Sequence, residues 1–375
     1  MFDDIITFIR QLYREPEGFI PLHAPIFTGR EKEYLCDCID STFVSSVGKY
    51  VDQFEDMVCD FTGAARAVAV VNGTCGLTAA LGMVGVNPGD VVLTQALTFV
   101  ASANAISHTG AKPVFLDSDK DSLGMSPDAL KAFLKTHDPT DGRIAACVPV
   151  HILGHACRIR EICEICEKHG IPVVEDAAEV LGSSYEGQHL GTFGTFGVLS
   201  FNGNKTITTG GGGMILTKDA KLGARAKHMT TTAKIPHKWE FRHDAIGWNY
   251  RMPNINAALG CAQMEKLDTI LTDKRAIATA YKTFFEERTD ALYIDAPTGC
   301  TANYWLNTIR FDSQEQRDNF LTESNDSGVM TRPLWTLMAD LPMYTNNLND
   351  GLVNARYLAA RAINLPSSPR AKECA

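Results

Sequence analysis

Between Arg66 and Glu175 five short apolar runs, at residues 67–71, 91–94, 113–116, 144–150 and 171–174, alternate with longer segments of helical character. The runs are apolar along their whole length, not at every second position, so both faces of each strand must be covered. Strands of that kind separated by helices predict a mostly parallel sheet with helices on either side. Such a sheet also fixes where a ligand can sit, because open α/β sheets bind beyond the C-terminal ends of their strands. Asn87-Pro88-Gly89-Asp90 punctuates the pattern as a turn.

The stretch Ser200 to Gly213 reads Ser-Phe-Asn-Gly-Asn-Lys-Thr-Ile-Thr-Thr-Gly-Gly-Gly-Gly. Apolar runs at 196–201 and 214–216 flank it, so Lys205 is expected on a tight loop between two strands. A lysine with no carboxylate close in sequence can be held as a partly desolvated amine, the state that forms a Schiff base with an aldehyde. The competing reading is a surface lysine beside a glycine turn. Asp176 follows the run at 171–174 and, if buried, needs a cationic partner. A lysine amine together with an aspartate facing a ring nitrogen is what pyridoxal 5'-phosphate requires. Upstream, the strand at 67–71 runs into Asn72-Gly73-Thr74-Cys75-Gly76, whose glycine turn and helix start would expose unpaired amides to a phosphate. That motif has neither dinucleotide spacing nor a Gly-Lys-Thr ending.

Five motifs in order extend this reading: Asn-Gly-Thr at 72–74, Leu-Thr-Phe-Val-Ala-Ser-Ala-Asn at 97–104, Glu-Asp-Ala-Ala-Glu at 175–179, Ser-Phe-Asn-Gly-Asn-Lys at 200–205 and Trp-Asn-Tyr-Arg-Met at 248–252. Together they resemble the DegT/StrS nucleotide-sugar aminotransferases, over nearly the whole chain. The resemblance implies a fold-type-one aminotransferase: a large α/β domain, a smaller C-terminal α+β domain, and a homodimer with pyridoxal phosphate at the subunit interface. It implies that Lys205 and Asp176 are catalytic and that Gly73, Thr74, Cys75 and Ser200 hold the phosphate. Phe99 would stack on the pyridine ring, and Glu179 would lie near the phenolic oxygen or the substrate. Asn249 would reach the phosphate of the other subunit. Without the resemblance these four would read as a core aromatic, a solvated helix glutamate, a strand-edge hydroxyl and a turn asparagine: Phe99, Glu179, Ser200 and Asn249 respectively.

The implied reaction moves an amino group from L-glutamate to a nucleotide-linked 4-keto-6-deoxy sugar. The N-terminal helix, Pro-Leu-His-Ala-Pro-Ile-Phe at 21–27, the glycine run and Thr-Arg-Pro-Leu-Trp at 331–335 together look most like the subgroup acting on UDP-linked sugars for surface glycans. Arg332 and Trp335 are the candidate substrate residues. Lys234, His237, Lys238 and Arg242 could offset the acidic field near a pyrophosphate or form an ordinary solvated loop. Two departures bear on the sugar: Gly210 to Gly213 lacks an acid common in relatives, and Ala339 stands where many have histidine. The alternatives are a 3-keto-sugar aminotransferase, a non-catalytic ligand sensor, and a sugar dehydratase, against which Lys205 argues because that group carries histidine there.

With 375 residues, 45% hydrophobic and 21% charged, the chain can bury a large core. Its net charge of −9 and lack of a basic run argue against nucleic-acid binding. Two acids at the N-terminus and no membrane-length apolar run predict a cytoplasmic protein without a membrane partner. His155, Cys157, Cys163, Cys166 and His169 cluster, but Ile159, Ile162, Cys163 and Cys166 share one helix face, so a buried helix is expected and no metal site. Helices are predicted at 2–14, 30–43, 50–62, 219–229, 254–271 and onward to 287, 313–325 and 352–363, with a strand at 304–311. The expected division is an N-terminal helical extension (1–20) packed on the main domain or a partner subunit, a large domain (21–253) and a small domain (254–375).

Overall fold

The computed structural model describes residues 2–370. The alternating runs form strands β1 (Arg66–Val70), β2 (Val91–Gln95), β3 (Lys112–Leu116), β4 (Ile144–Val148), β5 (Val174–Asp176), β6 (Phe196–Ser200) and β7 (Gly213–Thr217). The pairings β3-β2-β4 and β5-β6 are parallel, and parallel bridges Cys147 to Val173 and Val150 to Asp176 carry β4 onto β5. The sheet therefore runs in the order β3-β2-β4-β5-β6-β7-β1. Only β7 is reversed, antiparallel to both β6 and β1. Every parallel strand ends at the same edge, where the strand ends and the loops that leave them carry Asn72, Phe99, Val150, Asp176 and Ser200.

The glycine run has a packing cause. Gly213 pairs with Val70 on one side and Ser200 on the other, and a Cβ there would lie 2.6 Å from the carbonyl carbon of Asn72. Only glycine lets β7 pass beneath the loop that starts the next helix.

One core packs the helix Lys49–Thr62 and the helix Asn254–Met264 against the sheet, joining Phe54, Phe201, Ala257, Ala258 and Cys261. Residues beyond 254 share this core, which also buries Leu267, Ile270 and Leu271. The long helix is also broken, ending at Met264 and restarting at Leu267 to run to Glu286. Cys166 faces this core, with Cys163 packed against it, as the helical spacing predicts.

The second unit is an antiparallel sheet of Ala291–Ile294, Asn307–Phe311, Ala362–Leu365 and Arg332–Pro333, in that order. Two sequence expectations fail here. Residues 304–306 precede the strand, and 362–363, expected as the end of the final helix, belong instead to the sheet's third strand, Ala362–Leu365. That helix ends at Arg361, because Ile363 and Leu365 are buried by pairing with Ile309 and Asn307. The helix Gln314–Asp326 starts at a full capping box of Ser313 and Gln316. The N-terminal helix Asp3–Tyr13 packs on this unit and on the end of the long helix: Phe2 meets Phe311 and Phe320 edge-on at 5.5 and 5.3 Å, Phe8 stacks on Phe284 at 4.1 Å, and Ile5 and Ile9 are fully buried beside Ile309. Each of those isoleucines contributes about 1.5–3 kcal/mol. The last five residues of the expected small domain lie outside the described residues. No described helix is long and apolar enough to cross a membrane.

Candidate active site

The C-terminal ends of the strands enclose a cavity of about 320 Å³. Asn72, Gly73 and Thr74 from the β1 loop, Thr98, Phe99 and Ser102 after β2, Asp176 at the end of β5 with Glu179 beyond it, and Ser200 at the end of β6 with Lys205 beyond it all line it. From the second unit come Trp305 and Trp335.

The helix following β1 begins at Gly73, earlier than the apolar pattern implied. Asn72 caps it, its side-chain oxygen accepting from the Cys75 amide at 2.8 Å. That bond consumes one first-turn donor and leaves the amides of Gly73 and Thr74 to face an anion. The expected phosphate role of Cys75 is thus weakened: its amide is taken, and it does not line the cavity. Ser200 stands across from Gly73, where an added Cβ would approach the serine Cβ at 3.3 Å.

Asp176 is the last residue of β5 and is buried. The Ser102 hydroxyl donates to one carboxylate oxygen at 2.6 Å and the Ala178 amide to the other at 3.2 Å. Burial nevertheless raises its pKa above the ordinary value, only partly offset by those bonds, Lys205 and His151. Among the described residues no cation lies within ion-pair distance of it. Behind it, Glu175 accepts from the amides of Gly191, Phe193 and Gly194 and from His151 at 2.9 Å, which fixes the strand end.

Lys205 is 13% exposed at its side chain, in line with the desolvated amine expected from the loop. A carboxylate distant in sequence does reach it. Glu179 Oε1 accepts from Lys205 Nζ at 3.3 Å while its other oxygen accepts from the Leu153 amide at 2.8 Å. Burial raises the Glu179 pKa, with Lys205 as the main opposing influence.

Phe99 is half exposed on the cavity wall, free on one face to meet a flat ring. Trp335 lines the cavity, but Arg332 is exposed outside it, bonded to Asn325 and the Thr331 carbonyl. Asn249 is also exposed and off this cavity, its side-chain oxygen held by Arg251. Lys234, His237, Lys238 and Arg242 lie on an exposed hairpin, with Lys234 over Phe241 and Arg242 paired to Glu240. Ser102 and Trp305 were not singled out from sequence. Ser102 falls within the 97–104 motif, which could have marked it. Trp305 carried no signal.

The decisive comparison is with a family model. The DegT/DnrJ/EryC1/StrS aminotransferase family matches residues 25–374. The chain belongs to that family. It is an aminotransferase, and its relatives agree: it is 37% identical to GDP-perosamine synthase of Escherichia coli O157:H7, over 94% of each chain. TlmJ, an aminotransferase from Streptoalloteichus hindustanus, superposes with a TM-score of 0.86 at 28% identity, covering 93% of this chain and 94% of that one. Spr1654 of Streptococcus pneumoniae, solved in its PLP form, shares the fold at a TM-score of 0.86 and 23% identity, over 93% of each chain.

Aminotransferases of this family use pyridoxal phosphate, and the residues present fit that group. Among the described residues the buried Asp176 carboxylate has no ion-pair cation, as a partner for a protonated ring nitrogen should. The free amides of Gly73 and Thr74 with Ser200 form an anion cup, Phe99 offers a face, and Lys205 an amine.

Proposed function

We propose that this aminotransferase moves an amino group from L-glutamate to a nucleotide-linked 4-keto-6-deoxy sugar, giving an amino sugar for surface glycan synthesis, and that it works as a homodimer. The observation that carries the reading is that Asp176 and Lys205 line the same cavity with a phosphate cup. Pyridoxal phosphate, when bound, supplies an electron-withdrawing ring that lets a proton leave the carbon bearing the donor nitrogen. Asp176 holds the proton on the ring nitrogen. The Lys205 amine accepts and returns the donor-carbon proton. Gly73, Thr74 and Ser200 anchor the phosphate, and Trp335 stands where the sugar enters. For the base, the relationship to GDP-perosamine synthases at 37% and 35% identity favours a GDP-linked sugar over the UDP-linked one that the N-terminal and 331–335 segments suggest.

A panel of GDP-, UDP- and dTDP-linked 3-keto and 4-keto sugars, each with L-glutamate, separates these readings by 2-oxoglutarate release. Release with the GDP-linked 4-keto-6-deoxy sugar is expected. A UDP or dTDP preference would overturn the base, a 3-keto preference the position, and no release with any sugar the substrate class. Lys205→Ala should abolish turnover, and borohydride reduction of the wild type should label Lys205 and no other lysine.

A further inference from the structure

A segment of the second unit, Asn303-Tyr304-Trp305, is driven into the active site and tied there on every side. Trp305 is 4% exposed. Its N–H donates to the carbonyl of Asn204, the residue before Lys205, at 2.6 Å. Its amide donates to Asn303 Oδ1 at 2.8 Å. The Asn303 side-chain amide in turn donates to the carbonyls of Glu179 and Leu181, both at 2.9 Å, and to Thr206 Oγ1 at 3.1 Å. One asparagine thus joins the residue that pairs with the lysine to the loop that carries it.

The backbone is bent to make this possible. Tyr304 sits at φ 48°, a left-handed conformation a tyrosine adopts only when its surroundings impose it. Gly154, at φ 96°, leaves room for the segment, since a Cβ there would strike Asn303 and come within 2.7 Å of the Trp305 nitrogen. Lys274 closes the back: its buried amine donates to the Trp305 carbonyl at 3.3 Å and the Ser367 carbonyl at 2.6 Å, and meets His23 Nε2 at 3.0 Å.

What this scaffold holds in place is a flat π-face with the Lys205 nitrogen 3.9 Å from its centroid. A buried tryptophan face attracts an ammonium and has no proton of its own to exchange with it there. We propose that Trp305 is a positioning residue for the aminotransferase reaction: its indole face, with Glu179, is the seat that Lys205 occupies whenever its amine is free. The seat keeps the amine beside the donor carbon without capturing its proton, which a second carboxylate would do.

The proposal rests on the assignment of Lys205 as the reactive amine, but not on the identity of the sugar. Its first test therefore needs no substrate. In cofactor-free protein carrying lysine labelled with carbon-13 at Cε, the Lys205 signal, identified by its loss in Lys205→Arg, should lie upfield through the indole ring current. It should stay upfield in Trp305→Phe and return to the ordinary lysine position in Trp305→Leu. An ordinary position in the wild type overturns the proposal whether or not the variants fold.

In the holoenzyme, Trp305→Leu should slow the half-reaction with L-glutamate about tenfold, the rate equivalent of a desolvated cation–π contact. It should enlarge the isotope effect with α-deuterated glutamate and leave glutamate affinity unchanged, while Trp305→Phe recovers most of the rate. A wild-type rate and isotope effect in Trp305→Leu would refute the role, as would a loss confined to glutamate affinity. Failure of the sugar panel would leave both measurements standing.

Discussion

Asp176 sits in a protein interior that resists its charge, and this shapes both stability and chemistry. Its folded-state pKa is raised, burial being the largest cause. A carboxyl whose pKa is raised by folding binds protons more readily in the native state. The native state is then penalised above the ordinary carboxylate range, and the penalty fades as pH falls. Asp176→Asn should remove it. The amide oxygen can still accept from Ala178, and the Ser102 hydroxyl, which also touches Thr98, can turn to accept from the new NH2. The cofactor-free variant should therefore melt at a higher temperature than wild type at neutral pH, while its half-reaction with glutamate falls on the order of 10²–10³-fold for loss of a preorganised charge. A lower melting temperature would show that the wild-type carboxylate is already compensated. Asp176 and Lys205 were legible in the sequence because each follows an apolar strand, and strand ends are where an α/β sheet binds ligands. Glu179 as the lysine's partner, and Trp305 as its platform, were not. Those contacts span 26 and 100 residues of sequence and exist only after folding.

At the scale of elements, glycines and one buried lysine hold the site's parts in register. Gly213→Ala would push β7 against the Asn72 carbonyl, so it should cost about 1–3 kcal/mol, as overpacking does. It should also weaken phosphate binding in the cup, seen as a higher pyridoxal phosphate concentration needed to restore activity. Gly211, with open space around it, should accept alanine far better. The run of four glycines was visible in the sequence, but which of them packing demands was not, because the neighbour, Asn72, is in a loop 141 residues upstream. Lys274 offers a pH test. It is fully buried and its pKa is lowered to about 7 by burial. The unfolded chain keeps its proton up to about 10.5, so the cost of burying this charge is complete below about pH 7 and fades as pH rises toward 10.5. Lys274→Met removes that cost, of a few kcal/mol (~3–5) at most, but orphans two carbonyls. The stability difference between wild type and variant, read from urea melts across this range, should shift in favour of the wild type as pH rises. A difference that is flat with pH would mean that Lys274 is charged throughout.

Across the whole molecule, the alternation of strands and helices was enough to read the large sheet, because each buried parallel strand writes its apolar run continuously into the sequence. The boundary between units was harder to place. The helix Asn254–Met264 looks in sequence like the start of a new unit, yet Ala257, Ala258 and Cys261 complete the first core. The surface also bears on assembly. Trp239, Phe241 and Ile246 are 74%, 79% and 96% exposed, and Phe43 and Val47 are exposed as well, large apolar groups of a kind that mark a contact face. Asn249 lies near that hairpin in sequence and away from the cavity of its own chain, as a residue serving the partner's phosphate would. If so, Lys205→Ala and Asn249→Ala chains are each inactive alone but complementary. In a hybrid dimer the site that retains Lys205 receives Asn249 from the Lys205→Ala chain, while the other site lacks both. Free exchange of equal amounts should pair half the subunits as hybrids and restore about a quarter of wild-type activity, as two-fold symmetry requires. The recovery should rise with the hybrid fraction measured by native mass spectrometry. Verified hybrids without activity would mean that each chain builds its phosphate site alone, and activity in Asn249→Ala homodimers would mean that this asparagine is not part of it.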